Sequence, residues 1–217
     1  QPGRPLAAQL QPARRDELSM RLLVLTGRIA AACTALLCLA AAPADSPVNV
    51  PEPDGLYAGP PKGYTPPTLK GAQVVDADAL AALMAEPVKP VLIDVAAPDR
   101  KPSNFPEGRL WLPVHPSIPG AVWMPEAGAE PLAPAREAQF YARVAELTGG
   151  DRTRPVVVFC HVECWGSWNA AKRLVLTGYT GVRWFPEGVE GWQEKHETTN
   201  LRVDPAWKAG SEPQAGR

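Results

Sequence analysis

The sequence contains no run of basic residues, and it has few cysteines and histidines for a chain of 217 residues. Its formal net charge is −1 at pH 7. Because no basic patch could neutralise a phosphate backbone, nucleic acid is excluded as a predicted partner. Four cysteines occur, and Cys33 and Cys38 lie in an N-terminal apolar segment. Thiol chemistry in the rest of the chain therefore depends on Cys160 and Cys164.

The N-terminal apolar run is too short to span a bilayer as a stable helix. This run, Ile29 to Ala42, follows the basic residue Arg21 and precedes small residues that suit a signal peptidase. We predict that residues 1–44 are an N-terminal extension and signal peptide, cleaved after Ala44. The predicted location is the periplasm, with no stable membrane span after cleavage. A membrane anchor is the alternative.

The remaining chain divides by composition into three parts. Residues 45–70 are rich in proline, with seven prolines between Asp45 and Pro67. This composition predicts an extended, polyproline-like arm rather than a packed element. Residues 71–200 carry the periodic apolar pattern of a folded domain, and residues 201–217 are predicted to be a C-terminal tail.

Short apolar runs alternate with helical patterns through residues 71–200. This alternation predicts an α/β fold in which a central parallel sheet is flanked by helices. Nine prolines between Pro98 and Pro134 exclude helices from most of that segment, which is predicted to be a long loop shaping one wall of a site. The predicted strands are Gln73–Val75, Val91–Val95, Val156–Phe159 and Val182–Phe185, and the predicted helices are 79–84 after a cap at Asp76 or Asp78, 136–147 and 170–176.

Cys160 lies where a buried strand ends and the chain turns towards a helix. Reactive groups gather at the carboxyl ends of strands in open parallel sheets, and the N-terminus of a helix favours a thiolate over a thiol. We therefore predict that Cys160 is the reactive cysteine and that Cys164 is its resolving partner. The other residues of the predicted active-site loop are His161, Val162, Glu163, Trp165, Gly166 and Ser167.

The cysteine pair leaves several interpretations open. A structural disulfide would close so small a loop that it would stabilise the fold little. The pair could instead be a redox couple or one reactive thiol beside a helper. Metal binding by Cys160, Cys164 and His161 would supply only three ligands at an unusual spacing, so no metal and no cofactor are predicted. Asp94, an acid within an apolar strand, must be hydrogen-bonded, and we predict that it supports the site by tying neighbouring loops.

Four segments, in this order, resemble a rhodanese domain: VLIDV, IPGAVWMP, PVVVFC and WFPEGVEGW. The sequence Cys-Trp followed by Ser-Trp-Asn-Ala-Ala further resembles a subfamily named for a CXXCW motif, although three residues separate the cysteines here instead of two. That subfamily is associated with pyrroloquinoline-quinone-dependent alcohol catabolism in bacteria. The resemblance implies that Cys160 accepts sulfane sulfur as a persulfide. It also implies a periplasmic quinone-dependent dehydrogenase or a cytochrome c as partner.

Two arginines implied by the resemblance are replaced in this chain. Trp165 occupies the position at which family members active on thiosulfate usually have an arginine, and Ala96 replaces the arginine after Asp-Val. Weak thiosulfate sulfurtransferase activity is therefore expected. The predicted function is sulfur relay or thiol–disulfide exchange in an exported protein, accessory to quinone-dependent alcohol oxidation. The alternative is a non-catalytic docking module for a periplasmic dehydrogenase or its cytochrome partner.

Overall fold

A computed structural model of the chain describes residues 48–111 and 114–208. The predicted leader, its cleavage position after Ala44 and the last nine residues of the predicted tail lie outside this part of the chain. Among the described residues, no helix has both the length and the apolar character needed to cross a membrane.

The centre of the protein is a five-stranded parallel sheet, which confirms the predicted fold class. The strands in chain order are β1 (Gln73–Val74), β2 (Val91–Asp94), β3 (His115–Ser117), β4 (Val122–Trp123), β5 (Val156–Phe159), β6 (Val182–Phe185) and β7 (Thr199–Leu201). The sheet has the order β1-β6-β5-β2-β4, and β3 pairs separately with β7 in an antiparallel ribbon. Strands β2 and β5 are buried along their whole length, as expected for apolar strands covered on both faces.

Helices cover both faces of the sheet. They are α1 (Ala77–Ala85), α2 (Pro134–Thr148), α3 (Trp165–Leu176), α4 (Gly188–Gln193) and α5 (Pro205–Lys208). Phe140 of α2 and Trp168 of α3 belong to the core cluster on one face. Leu80 of α1 and Trp192 of α4 belong to the cluster on the other face. The β5–α3 connection therefore crosses from the centre of the sheet to one covering layer, and the predicted cysteine loop lies on it.

The ends of the helices follow local capping chemistry, with one difference from the sequence prediction. Asp76 caps α1 by accepting a hydrogen bond from the N–H of Ala79 at 2.7 Å, and Gly149 ends α2 in the left-handed conformation. Helix α3 begins at Trp165 instead of at Ala170. The weak helix formers in its first turn are outweighed by burial, because Trp165 and Trp168 both pack into the core.

Both segments flanking the predicted domain are packed where the structure describes them. The proline-rich arm contacts α3 and its N-cap through Tyr57, Lys62 and Thr68, and Leu69 is buried in the core, in contrast to the expectation of an unpacked segment. In the region predicted as a tail, Trp207 is buried, its indole N–H donates to the carbonyl of Pro125, and the Arg136 guanidinium lies 3.5 Å above its ring. A buried tryptophan of this kind anchors the chain end to the domain.

Candidate active site

Cys160 and Cys164 are joined by a disulfide at the carboxyl end of β5. Cys160 directly follows the strand and is only 1% exposed, whereas Cys164 is partly exposed and is the N-cap residue of α3. Their Cα atoms lie 6.5 Å apart. The structure thus brings together the two cysteines that the sequence analysis selected, within the loop of residues 160–165.

The start of α4 packs directly against the backbone of Cys160. The N–H of Val189 donates to the Cys160 carbonyl at 2.9 Å. Gly188 has a φ of +63°, and a Cβ atom placed on it would lie 2.5 Å from that same carbonyl oxygen. Glycine is therefore required at this position both for the left-handed conformation and for the close approach. The sulfur of Cys160 lies 3.6 Å from the His161 carbonyl oxygen and 3.8 Å from that of Cys164.

Glu190 of α4 holds the loop through two hydrogen bonds. One carboxylate oxygen lies 2.8 Å from Nδ1 of His161, and the other accepts the N–H of Val162 at 3.0 Å. The hydrogen bond to Glu190 raises the pKa of His161. Burial alone would raise the pKa of Glu190, but the hydrogen bonds from His161 and from backbone N–H groups outweigh it, and this pKa is lowered. Both shifts favour the ion-paired form, with His161 protonated and Glu190 ionised, at the exposed rim of the loop.

The proline-rich arm is joined to the cysteine loop by backbone hydrogen bonds. The N–H of Trp165 donates to the carbonyl of Pro61, and the N–H of Gly63 donates to the carbonyl of Glu163, both at 2.8 Å. Together they form a short antiparallel bridge centred on Cys164. The arm is therefore one of the walls around the disulfide.

Side chains of α3 extend this contact along the arm. The rings of Tyr57 and Trp165 are stacked with their centroids 3.8 Å apart. The Asn169 side chain accepts the N–H of Tyr57 and donates to its carbonyl, both at 2.9 Å, and the indole N–H of Trp168 donates to the carbonyl of Thr68. Trp165 and Trp168 consequently serve as packing anchors, and Trp165 is only 4% exposed.

Ser167 and Gly166 shape the first turn of α3 beside the disulfide. The Ser167 hydroxyl donates to the carbonyl of Cys164 and accepts the indole N–H of Trp184, both at 3.1 Å. Gly166 borders the sulfur of Cys164, since a Cβ atom placed on it would lie 3.4 Å from that sulfur. Ser167 therefore positions the helix start, and Gly166 leaves space on one side of Cys164.

Asp94 is buried at the end of β2, and both of its carboxylate oxygens have hydrogen-bond partners. Its Oδ2 accepts the Ser117 hydroxyl at 2.5 Å and lies 2.7 Å from Nε2 of His115, while its Oδ1 accepts the N–H of Ala96 at 2.8 Å. His115 in turn stacks on Trp123. Ser117 and His115 both bind the carboxylate instead of each other, so they do not form a relay to a nucleophile. This geometry ties β2 to β3 and to the start of the long loop.

Some residues that hold the site were not selected from the sequence. Glu190 is 29 residues from His161, and Tyr57 is 112 residues from Asn169. No periodic pattern of charged or apolar residues in the sequence connects positions so far apart. The one available signal for Glu190 was its place in the segment WFPEGVEGW, which the sequence analysis used only to recognise a family.

Comparison with known proteins assigns a family to this fold and site. Residues 76–195 match the rhodanese-like domain, which is more than half of the chain. The chain belongs to the rhodanese-like family. The matched residues include Cys160, Cys164 and the loop between them, and the reactive role of Cys160 stays a prediction.

Other comparisons add little to this family assignment. A search of curated proteins finds no match. Among solved structures, the rhodanese-like chain is similar to an uncharacterized protein from Saccharomyces cerevisiae, with 18% identity and a TM-score of 0.35. That alignment covers 57% of this chain and 92% of the yeast chain.

Proposed function

We propose that the protein exchanges disulfides with thiol substrates through Cys160 and Cys164. The observation that carries the proposal is the disulfide at the carboxyl end of β5, in the loop for which the resemblance implies a reactive cysteine. In the exchange, two substrate thiols lose two electrons and become a disulfide, and the protein disulfide becomes two thiols.

Disulfide exchange is favoured over sulfur relay from thiosulfate because the loop is poorly suited to an anion. Residues 160–165 include Glu163 and no lysine or arginine. The N–H of Val162 already binds the Glu190 carboxylate, and the N–H of Trp165 binds the carbonyl of Pro61. These two donors are therefore not free to hold an anionic sulfur donor or a persulfide.

The proposed place of action is the periplasm, where the protein would assist pyrroloquinoline-quinone-dependent alcohol oxidation. The apolar run before Ala44 supports export, and an oxidising compartment preserves disulfides. The resemblance of the Cys-Trp and Ser-Trp-Asn-Ala-Ala segment supports the link to alcohol oxidation. A dehydrogenase or a cytochrome c would be the partner. N-terminal sequencing of protein from the periplasmic fraction should begin near Asp45, and recovery of the uncleaved chain in membranes would contradict export.

Mass spectrometry of the purified protein tests the chemistry. Protein isolated without reductant should lack the mass of two hydrogens relative to protein treated with dithiothreitol, and glutathione disulfide should restore the oxidised mass. Incubation of the reduced protein, freed of dithiothreitol, with thiosulfate should not add the mass of a sulfur atom. A stable added sulfur on Cys160 would favour persulfide relay instead.

A docking role is the second candidate, and it rests on exposed apolar side chains. Val162 in the cysteine loop and Leu110 and Val114 on the long loop are 44%, 78% and 57% exposed. Such side chains suit contact with a dehydrogenase or its cytochrome. A chain with both cysteines replaced by serine separates the two functions, because a docking module would still support growth on the alcohol and an exchange protein would not.

A further inference from the structure

We propose that Cys164, rather than Cys160, is the sulfur attacked by the incoming thiolate. This inference rests on the exchange reaction proposed above and reverses the roles expected from the sequence. Three observations carry it: the burial of the two cysteines, the polar groups around them, and the space beside Gly166.

Burial separates the two ends of the disulfide. Cys160 is 1% exposed, belongs to the core cluster between the sheet and α3, and is covered at its carbonyl by Gly188 and Val189. Cys164 is partly exposed. Because thiol–disulfide exchange requires direct contact between the attacking thiolate and one sulfur, access alone favours Cys164.

The polar surroundings point the same way. The sulfur of Cys160 lies near the carbonyl oxygens of His161 and Cys164, at 3.6 and 3.8 Å. Oxygen atoms that carry partial negative charge repel an approaching thiolate. Cys164 is the N-cap residue of a helix of twelve residues, where the helix dipole stabilises negative charge. The helix dipole therefore favours the approach of an anionic thiolate to Cys164. Because the departing Cys160 sulfur lies beside two carbonyl oxygens, it leaves as the protonated thiol.

Gly166 leaves an approach to the Cys164 sulfur. A Cβ atom placed on Gly166 would lie 3.4 Å from that sulfur, and apart from the backbone of the helix itself and the adjoining residues no other atom lies within 4 Å of it. Gly166 is itself partly exposed. Any larger side chain would occupy space next to the sulfur, so the glycine keeps this side of the sulfur open to a substrate.

In the proposed exchange, Cys160 is the leaving group. The substrate thiolate forms a bond to the Cys164 sulfur, the bond between Cys160 and Cys164 breaks, and the electron pair passes to the Cys160 sulfur. That sulfur takes a proton from water, and the resulting thiol can donate to the carbonyl oxygen of His161 or of Cys164. A second substrate thiolate then attacks the substrate sulfur and releases the Cys164 thiolate. The substrate leaves as a disulfide.

Trapping the mixed disulfide on the oxidised full-length protein tests the assignment. Reduced glutathione is added, the freed thiol is blocked at once with N-ethylmaleimide, and a protease that cuts after Glu163 separates the two cysteines. We expect glutathione on Cys164 and maleimide on Cys160, in at least ten-fold excess over the reverse. Glutathione mainly on Cys160, or equally on both, would overturn the inference while leaving disulfide exchange intact. Failure of glutathione to react at either cysteine would overturn both proposals.

Gly166→Ala tests the approach path without removing a sulfur. Alanine is favoured over glycine within a helix, so this variant should fold. We expect it to form the mixed disulfide several-fold more slowly than the unaltered protein, still at Cys164. Gly55→Ala is the matched control, since apart from the adjoining residues no atom lies within 4 Å of the added methyl group. Equal rates for Gly166→Ala and the unaltered protein would overturn the role of Gly166.

Discussion

The ring of Tyr57 stacks on the ring of Trp165, with centroids 3.8 Å apart and planes inclined by 16°. Trp165 directly follows Cys164, so this stack connects the proline-rich arm to the disulfide. The bond from the Trp165 N–H to the Pro61 carbonyl lies beside it. The arm and the cysteine loop therefore form one structural unit, and a substitution in one should alter the stability or accessibility of the other.

Removing the Tyr57 ring should loosen the arm from the loop. An aromatic pair contributes about 0.5–1.5 kcal/mol beyond the burial of its surface. In Tyr57→Ala we expect dithiothreitol to reduce the disulfide several-fold faster and a protease to cut the arm more readily. Tyr57→Phe keeps the stacked ring and should behave as the unaltered protein. Equal reduction rates in all three proteins would show that the arm does not limit access to the disulfide.

Replacing Trp165 by arginine should not create a thiosulfate sulfurtransferase. An arginine at this position would restore the cation that thiosulfate-active rhodaneses carry, but Trp165 is buried and packs against Tyr57 and Trp168. Losing a buried tryptophan costs about 3–5 kcal/mol, and an unpaired buried charge adds to that. We expect a lower midpoint in urea denaturation and no gain in cyanide-dependent thiosulfate turnover.

Trp165→Phe provides the comparison for this prediction. Phenylalanine keeps an aromatic ring against Tyr57, so this variant should lose less stability than Trp165→Arg. Brisk turnover by a folded Trp165→Arg protein would mean that charge alone, and not the packing of the loop, limits activity on thiosulfate.

Asp94 should contribute to stability much more than to chemistry. Asp94→Ala would leave the buried Ser117 hydroxyl and His115 ring without their shared acceptor. Breaking a buried network of this kind costs about 3–5 kcal/mol. Chemical denaturation should show this loss, while Asp99→Ala, at an exposed position on the long loop, should change stability by less than about 0.5 kcal/mol. An Asp94→Ala protein of normal stability but without disulfide exchange would contradict the supporting role.

The sequence predicted those parts of the fold that depend on local patterns. Val156–Phe159 is apolar throughout, and a short run of this kind is typical of a strand covered on both faces, so its place in the centre of the sheet could be inferred. The selection of Cys160 as the reactive cysteine followed from its position directly after that strand. The helix start at Trp165 was missed because Gly166, Ser167 and Asn169 are weak helix formers, and the packing that compensates for them comes from distant residues.

The walls of the site could not be predicted for the same reason. Tyr57 and Asn169 are 112 residues apart, and a proline-rich composition indicates an extended segment without showing what it contacts. The separate environments of Cys160 and Cys164 also depend on the third dimension. Both cysteines lie in one short loop, and the packing of the core and of α4 against Cys160 distinguishes this buried cysteine from the partly exposed Cys164.

The ion pair between His161 and Glu190 should make the stability of the loop depend on pH. The pKa of His161 is raised from its ordinary 6.5, so its contribution is complete below that value and is lost as the pH rises through the raised pKa. The pKa of Glu190 is lowered from its ordinary 4.5, so its contribution is complete above that value and is lost as the pH falls through the lowered pKa. The ion pair should therefore contribute most to the stability of the folded protein between about pH 4.5 and 6.5.

Nuclear magnetic resonance titration of the histidine rings can measure this effect directly, since the chain has only three histidines. In Glu190→Gln the pKa of His161 should fall towards its ordinary value, because glutamine keeps an acceptor but carries no charge. Glu194→Gln, at an exposed position on the same segment, should leave the His161 titration unchanged.

The ion pair should contribute little to overall stability. The side chains of His161 and Glu190 are 47% and 40% exposed, so solvent screening should limit the stability difference between Glu190→Gln and the unaltered protein to about 1 kcal/mol or less at pH 5.5. The difference should shrink towards pH 8 and at high salt, and a difference that grew with pH would contradict the ion pair.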